Sequence, residues 1–298
     1  MKNILIIGCG LIGSSLLRAI VKKKISKKIF IFEKSKTNIL KIKKLKLPCI
    51  ITSDFKKIIP KVDLIIFCTP MSEYEKIILK INRYLLPKTI ITDVGSSKEI
   101  ALTLIKKKLK KNISWVSSHP ISGSEVSGPE FGHSSLFLSK WCILIKEQNS
   151  NRKHLTFLSK FWKKIGSKVV TMNAKRHDKI FSMTSHLPHL IAYNLVKTAT
   201  DFEKQKKYDL IKFSAGGLRD FSRIAASNEI MWRDIFFNNQ YNISKAIDLF
   251  IKNLKSFKKD INSKNNQSLI KKLVETKKVR KKIIKLKQDI NKPDFGRN

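Results

Sequence analysis

Apolar residues along the chain fall into two regimes. Up to about residue 173, short wholly apolar runs alternate with stretches of helical spacing. Runs at 3–7, 29–32, 50–52, 62–68, 89–92, 115–117, 141–145 and 168–172 have the length and β-branched character of buried strands. Between them, residues 14–22, 73–85, 98–109 and 152–165 repeat apolar positions every three or four residues, as helices do. This alternation predicts an α/β fold with a doubly wound parallel sheet, whose ligands lie outside the carboxyl ends of the strands. Beyond residue 173 only helical spacing remains. It covers 178–200, a stretch after Gly216-Gly217 and another opening at Asn228. From Ile243, a seam of Ile247, Phe250, Leu254, Phe257 and Ile261 suits packing on a second helix or subunit. The pattern divides the chain into a nucleotide-binding segment, 1–173, an all-helical segment, 174–262, and a lysine-rich tail, 263–298. We read the tail as an amphipathic surface helix with its last eight residues frayed.

The first strand runs into Gly8-Cys9-Gly10-Leu11-Ile12-Gly13 and then a helix. A GxGxxG in that setting gives a tight turn, close approach of backbone to a pyrophosphate, and close packing of helix on strand. The helix start offers unpaired N–H groups to the phosphates. The second strand ends at Glu33, twenty residues past Gly13, where a carboxylate accepts from ribose hydroxyls and repels a 2′-phosphate. NAD is therefore expected over NADP, with Lys34 and Lys36 keeping NADP as the alternative.

Thr69, Ser96 and His119 each follow a predicted strand, which groups them at one rim of the sheet. Thr69 is assigned to the cofactor. Ser96 also suits the N-cap of the next helix. His119 precedes Pro120, which biases it away from helix, and lies beside a loop rich in Ser and Gly; we read it as a general base. In the helical segment Ser182, His186, His189 and Tyr193 are spaced to share one face, with a bend expected at Pro188. Arg219 and Arg223 lie one turn apart and suit a carboxylate ligand, unless they pair with Asp220 or Asp234.

Composition limits the remaining choices. The formal net charge is +40, but lysine supplies 53 of the 62 basic residues, scattered through every segment. Phosphate readers favour arginine's planar fork, so compositional drift explains the charge better than nucleic-acid binding. Four dispersed cysteines indicate neither a disulfide framework nor a metal site. The apolar start is broken by three glycines, and no run is long enough to span a membrane, so a cytoplasmic protein is expected.

Five blocks in order, GCGLIGSS, DVGSSK, SHPISGSEVSGP, SHLPHLIAYNLV and FSAGGLRDFSRIAASNEIMWRDI, resemble those of the prephenate and arogenate dehydrogenases of tyrosine biosynthesis. The resemblance covers about residues 1–260 and leaves the tail unaccounted for. It implies a Rossmann domain, a helical domain that forms a homodimer, and oxidative decarboxylation of prephenate or arogenate with NAD or NADP and no metal. By that likeness His119 accepts the proton of the ring hydroxyl and Ser96 orients it. Arg223 holds the ring carboxylate and His189 lines the substrate site. Gly8, Gly10, Leu11, Ile12, Gly13 and Glu33 hold the cofactor. Glu125, a few residues past His119, is a candidate for telling the side-chain amine of arogenate from the ketone of prephenate. Three rival readings are another Rossmann-type dehydrogenase acting on a hydroxy acid or small imine, an inactive basic nucleic-acid binder, and a regulatory fusion, against which no mutase or effector-binding block is expected beside the core.

Overall fold

The computed structural model describes residues 3–206 and 209–286. The parallel strands β1 (Asn3–Ile7), β2 (Lys28–Phe32), β3 (Ile50–Ile51), β4 (Leu64–Phe67), β5 (Ile90–Asp93) and β6 (Ser114–Trp115) form one sheet in the order β3-β2-β1-β4-β5-β6. Helices α1 (Leu11–Lys22), α2 (Lys36–Lys44), α3 (Phe55–Ile58), α4 (Tyr74–Ile81) and α5 (Glu99–Lys108) connect them. Strands β1 and β4 are almost wholly isoleucine, leucine and phenylalanine because a central parallel strand is covered on both faces. Ile4 and Ile6 bury into one layer of core, Leu5 and Ile7 into the other. The period of two along the strand divides them.

Three further strands do not join this sheet. Strands β7 (Ser118–Pro120), β8 (Trp141–Ile145) and β9 (Lys168–Met172) make a separate three-stranded sheet, with α6 (Arg152–Ile165) between the last two. Strand β7 is antiparallel to β8, pairing His119 with Ile143. This corrects the reading of 115–117 as one strand with His119 just past its end. The parallel ladder stops at Trp115, and His119 is the middle residue of the next sheet's edge strand. The Ser118 hydroxyl, which donates to the Asp93 carbonyl at 2.7 Å, ties that strand to the end of β5. His119 thus still lies by the carboxyl rim of the parallel sheet.

The helical half begins with α7 (Ala174–Phe181) and a π-helical turn, Ser182–His186. Then follow α8 (Leu187–Lys206), α9 (Gly216–Ala225), α10 (Glu229–Asn238), α11 (Gln240–Asn262) and α12 (Asn266–Lys285). This wide turn ends two residues before Pro188, where the sequence predicts a bend. Proline has no N–H for the carbonyl four residues back and its ring crowds that carbonyl, and a π turn makes room for both. Helix α12 lies against α11, where Lys272 Nζ is 2.6 Å from Asp260 Oδ2. The last eight residues, read as frayed, and Ile290 lie outside the described residues. Among the described residues no helix is long and apolar enough to cross a membrane.

Candidate active site

At the glycine loop, chain sterics account for two of the three glycines. Gly8 has φ +87°, and a Cβ there would lie 2.8 Å from the Cys68 carbonyl oxygen. A Cβ at Gly13 would lie 2.2 Å from the Gly8 carbonyl oxygen, so α1 can seat on β1 only without it. At Gly10 a Cβ would meet nothing within 4 Å. Packing does not require that glycine, whereas a ligand running close over the backbone would. Leu11 and Ile12 open α1, whose start has no side-chain cap. Glu33 is fixed beside it, accepting from Cys9 N at 2.8 Å and Ser35 N at 3.0 Å. The Thr69 methyl group reaches towards Gly8, and its hydroxyl oxygen is buried without a partner. Bare helix N–H groups, room over Gly10 and a positioned carboxylate together fit a dinucleotide.

The rim above β5 is built around a buried ion pair. Asp93 ends that strand, and Lys98, fully buried, puts Nζ 2.6 Å from Asp93 Oδ2 and 2.7 Å from the Ser118 carbonyl oxygen. Tyr74 hydroxyl and Gly95 N also donate to Asp93 Oδ2. An unpaired ion at this depth would cost several kcal/mol, so the two charges fix each other and the strand start that carries His119.

His119 is 8% exposed, and its Nδ1 lies 2.8 Å from His177 Nε2. The next link is His177 Nδ1 to Asp178 Oδ1, also 2.8 Å. Asp178 in turn accepts from the backbone N–H groups of Lys98 and Glu99 and so caps α5 from the other half of the chain. This corrects the N-cap reading of Ser96, since the cap comes from a carboxylate eighty residues away in sequence. The residue held against His119 Nδ1 is likewise His177, not Ser96. Burial, followed by the neighbouring His177, Lys98 and His186, holds the His119 pKa well below the ordinary histidine value. It is therefore a neutral imidazole at neutral pH.

From the helical half, His186 is fully buried, with Nδ1 3.1 Å from Asn239 Nδ2, and burial pushes its pKa down to about 4. The Ser96 backbone lies beside it. His189 stacks on Trp232 with ring centroids 3.8 Å apart, and its Nδ1 donates to the Ser185 carbonyl at 2.9 Å. Its pKa is lowered, chiefly by burial and in part by the charge of Arg223. Arg223 pairs with Glu125 rather than with Asp220 or Asp234. Asp234 accepts instead from Arg233 and from Ser72 N at 2.8 Å, docking α10 on the loop after β4. The expected face of Ser182, His186, His189 and Tyr193 is split by the π turn, with the Ser182 hydroxyl donating back to Lys179 O and Tyr193 to Ser227 O.

Glu125 pairs with Arg223, the charge of Arg223 reaches His189, and His186, beside the Ser96 backbone, reaches His119. The sequence reading missed His177, Asp178, Asp93 and Lys98. The one available signal was an adjacent His-Asp pair where the strand rhythm gives way to helices.

Residues 16–171 match the family model described as prephenate dehydrogenase, nucleotide-binding domain, and residues 173–275 that of the prephenate dehydrogenase dimerization domain. The second match extends past residue 262 into α12, which the sequence reading had left outside the family. Cyclohexadienyl dehydrogenase of Zymomonas mobilis is 32% identical over 279 residues, covering 94% of this chain and 95% of that protein. Prephenate dehydrogenase of Bacillus subtilis is 29% identical over 272 residues, 90% of this chain and 73% of that protein. The crystal structure of A. aeolicus prephenate dehydrogenase in complex with hydroxyphenyl propionate and NAD+ superposes with a TM-score of 0.89 at 32% identity, covering 95% of this chain and 98% of that one. With both domain models and a near full-length relative in agreement, the chain belongs to the prephenate dehydrogenase family of oxidoreductases.

Proposed function

We propose that this chain carries out the oxidative decarboxylation of prephenate, arogenate or both, using NAD, with His119 as general base. The observation that carries the reading is the neutral, buried His119 at the carboxyl rim of the nucleotide sheet, with His186 reaching it from the helical half, where His189 lies beside Arg223. The substrate ring bears a hydroxyl on one carbon and a carboxylate on the opposite, quaternary carbon. His119 takes the hydroxyl proton, and Arg223 holds a carboxylate without protonating it, because a guanidinium stays charged. NAD, when bound, supplies the two-electron acceptor for the hydride leaving the hydroxyl-bearing carbon. Loss of carbon dioxide then leaves an aromatic ring, which makes the reaction favourable. Ser96, just past the end of β5, would orient the substrate hydroxyl, and His189, its ring stacked on Trp232, would line the substrate site. Gly8, Gly10, Leu11, Ile12, Gly13 and Thr69 seat the dinucleotide. Glu33 receives the adenosine ribose and disfavours a 2′-phosphate.

A homodimer through the helical half fits the same reading. Leu254 and Ile261 on α11 and Leu273 on α12 are each about half exposed or more, at positions where a second copy would cover them. The direct test of the activity mixes purified chain with NAD or NADP and each substrate and follows absorbance at the reduced-nicotinamide band. Turnover with NAD and either substrate is expected, and its absence with both would overturn the assignment. His119→Asn should retain NAD binding and lose turnover by ~10²–10⁴, the usual worth of a general base.

A further inference from the structure

We propose that His177 and Asp178 are positioning residues that fix the tautomer of His119, so that Nδ1 carries the hydrogen and Nε2 presents the lone pair to the substrate. This rests on the reading of His119 as the base, but it makes a claim about hydrogens that can be tested without turnover. Asp178 anchors the chain of hydrogen bonds. Its two carboxylate oxygens accept from Lys98 N at 2.9 Å and Glu99 N at 2.8 Å, the opening N–H groups of α5. A carboxylate so placed only accepts, so the His177 Nδ1 at 2.8 Å from Oδ1 must be the donor. A neutral imidazole has a single N–H, which leaves His177 Nε2 as an acceptor. His119 Nδ1, 2.8 Å from that atom, must then donate to it. Its other nitrogen, Nε2, is left bare.

Burial keeps both rings neutral in the free chain, lowering both pKa values. The charged and titratable groups around the pair are Asp93 from the end of β5, Lys98 from the start of α5, His186 from the π turn, Cys142 from β8 and Asp178 itself. Phe181 packs on both rings, with its centroid 5.0 Å from His119 and 4.5 Å from His177, which limits their rotation. When the substrate hydroxyl gives its proton to Nε2, His119 becomes an imidazolium whose Nδ1–H still points at His177. No bond inside the relay has to break. The positive charge faces a chain of dipoles ending on the Asp178 carboxylate, the arrangement that steadies a base in its protonated form.

The decisive measurement is the nitrogen spectrum of the full chain labelled with ¹⁵N-histidine, recorded free of ligand, in which the two ring tautomers have distinct shifts. Wild type should show His119 protonated on Nδ1. In Asp178→Asn the side-chain amide donates to His177 Nδ1 and reverses the relay, so His119 should appear protonated on Nε2. The same variant should lose ~10²–10⁴ in kcat, with KM changed far less, because a base in the wrong tautomer cannot accept. His177→Leu should also lose turnover, whereas His177→Gln, which keeps an acceptor near the Nε2 position, should recover most of it. A wild-type spectrum with the proton on Nε2 of His119 would overturn the proposal, and needs no variant to fold. So would an Asp178→Asn protein with tautomer and kcat unchanged. Should His119→Asn itself turn over normally, the base assignment fails, and the spectra still decide the relay on their own.

Discussion

Arg223 Nη1 lies 3.2 Å from Glu125 Oε2, across ninety-eight residues of sequence and from opposite halves of the fold. The arginine assigned to the substrate carboxylate is thus already engaged by a carboxylate of the chain, and the two compete. Glu125→Gln should lower KM for prephenate by about two- to fivefold, the worth of a partly exposed ion pair. Arogenate should not share the gain, because its amine loses a carboxylate neighbour at the same time. Steady-state kinetics with both substrates would measure the ratio, and an unmoved ratio would place the discrimination in the helical half. Arg223→Ala should chiefly raise KM, having removed binding common to ground and transition states.

The buried histidines make the fold sensitive to acid. An unfolded histidine takes its proton near 6.5, whereas folded His186 does so only at about 4. Between those values the unfolded state binds more protons, so this stability is complete above 6.5 and is lost as the pH falls towards 4. For His186 alone the loss is about 3 kcal/mol, from its depressed pKa. Urea midpoints above pH 6.5 and near pH 4 should differ accordingly. The difference should shrink in His186→Asn, which keeps a group for Asn239 to meet.

The glycines of the nucleotide loop should separate by function. Gly10→Ala has open space for its methyl group, so its melting temperature should stay near wild type while NAD affinity falls at least tenfold, ~1.4 kcal/mol. Gly13→Ala drives a methyl group into the Gly8 carbonyl, and should lower the melting temperature as well. Calorimetry with and without NAD distinguishes the two.

The Lys98–Asp93 pair should behave as a buried ion pair whose halves are useless apart. Lys98→Met strands the Asp93 carboxylate and should cost about 3–5 kcal/mol by chemical denaturation. Adding Asp93→Asn should restore part of that loss. Additive losses in the double variant would mean that the two charges act independently.

Which parts of this fold were legible follows from the range of the forces involved. GxGxxG and Glu33 could be read because the strand, turn and helix that give them meaning are contiguous. The runs of isoleucine in β1 and β4 declared burial on both faces. The departure of β7 was not legible, because His119 joins β8 through backbone pairing with residues more than twenty positions away, which apolar spacing does not encode. The π turn before Pro188 keeps helical composition, so periodicity read straight through it. His177 and Asp178 were missed because their partners, His119 and the start of α5, are met only when the two halves dock. Arg223 was expected to hold a ligand carboxylate or to pair with Asp220 or Asp234, and the carboxylate it meets, Glu125, comes from a loop whose position the sequence could not supply.

The cap that Asp178 places on α5 has a consequence for folding. The nucleotide half has no side chain of its own on those first N–H groups, and Lys98, which starts the helix, also steadies Asp93 and β7. A fragment ending at Asn173 would therefore carry a loosened helix start beneath the strand that bears His119. The junction that divides the chain so cleanly in sequence is not a seam in thermodynamics. The intact chain should melt in one cooperative transition, with loss of the helical half felt at once on the nucleotide side.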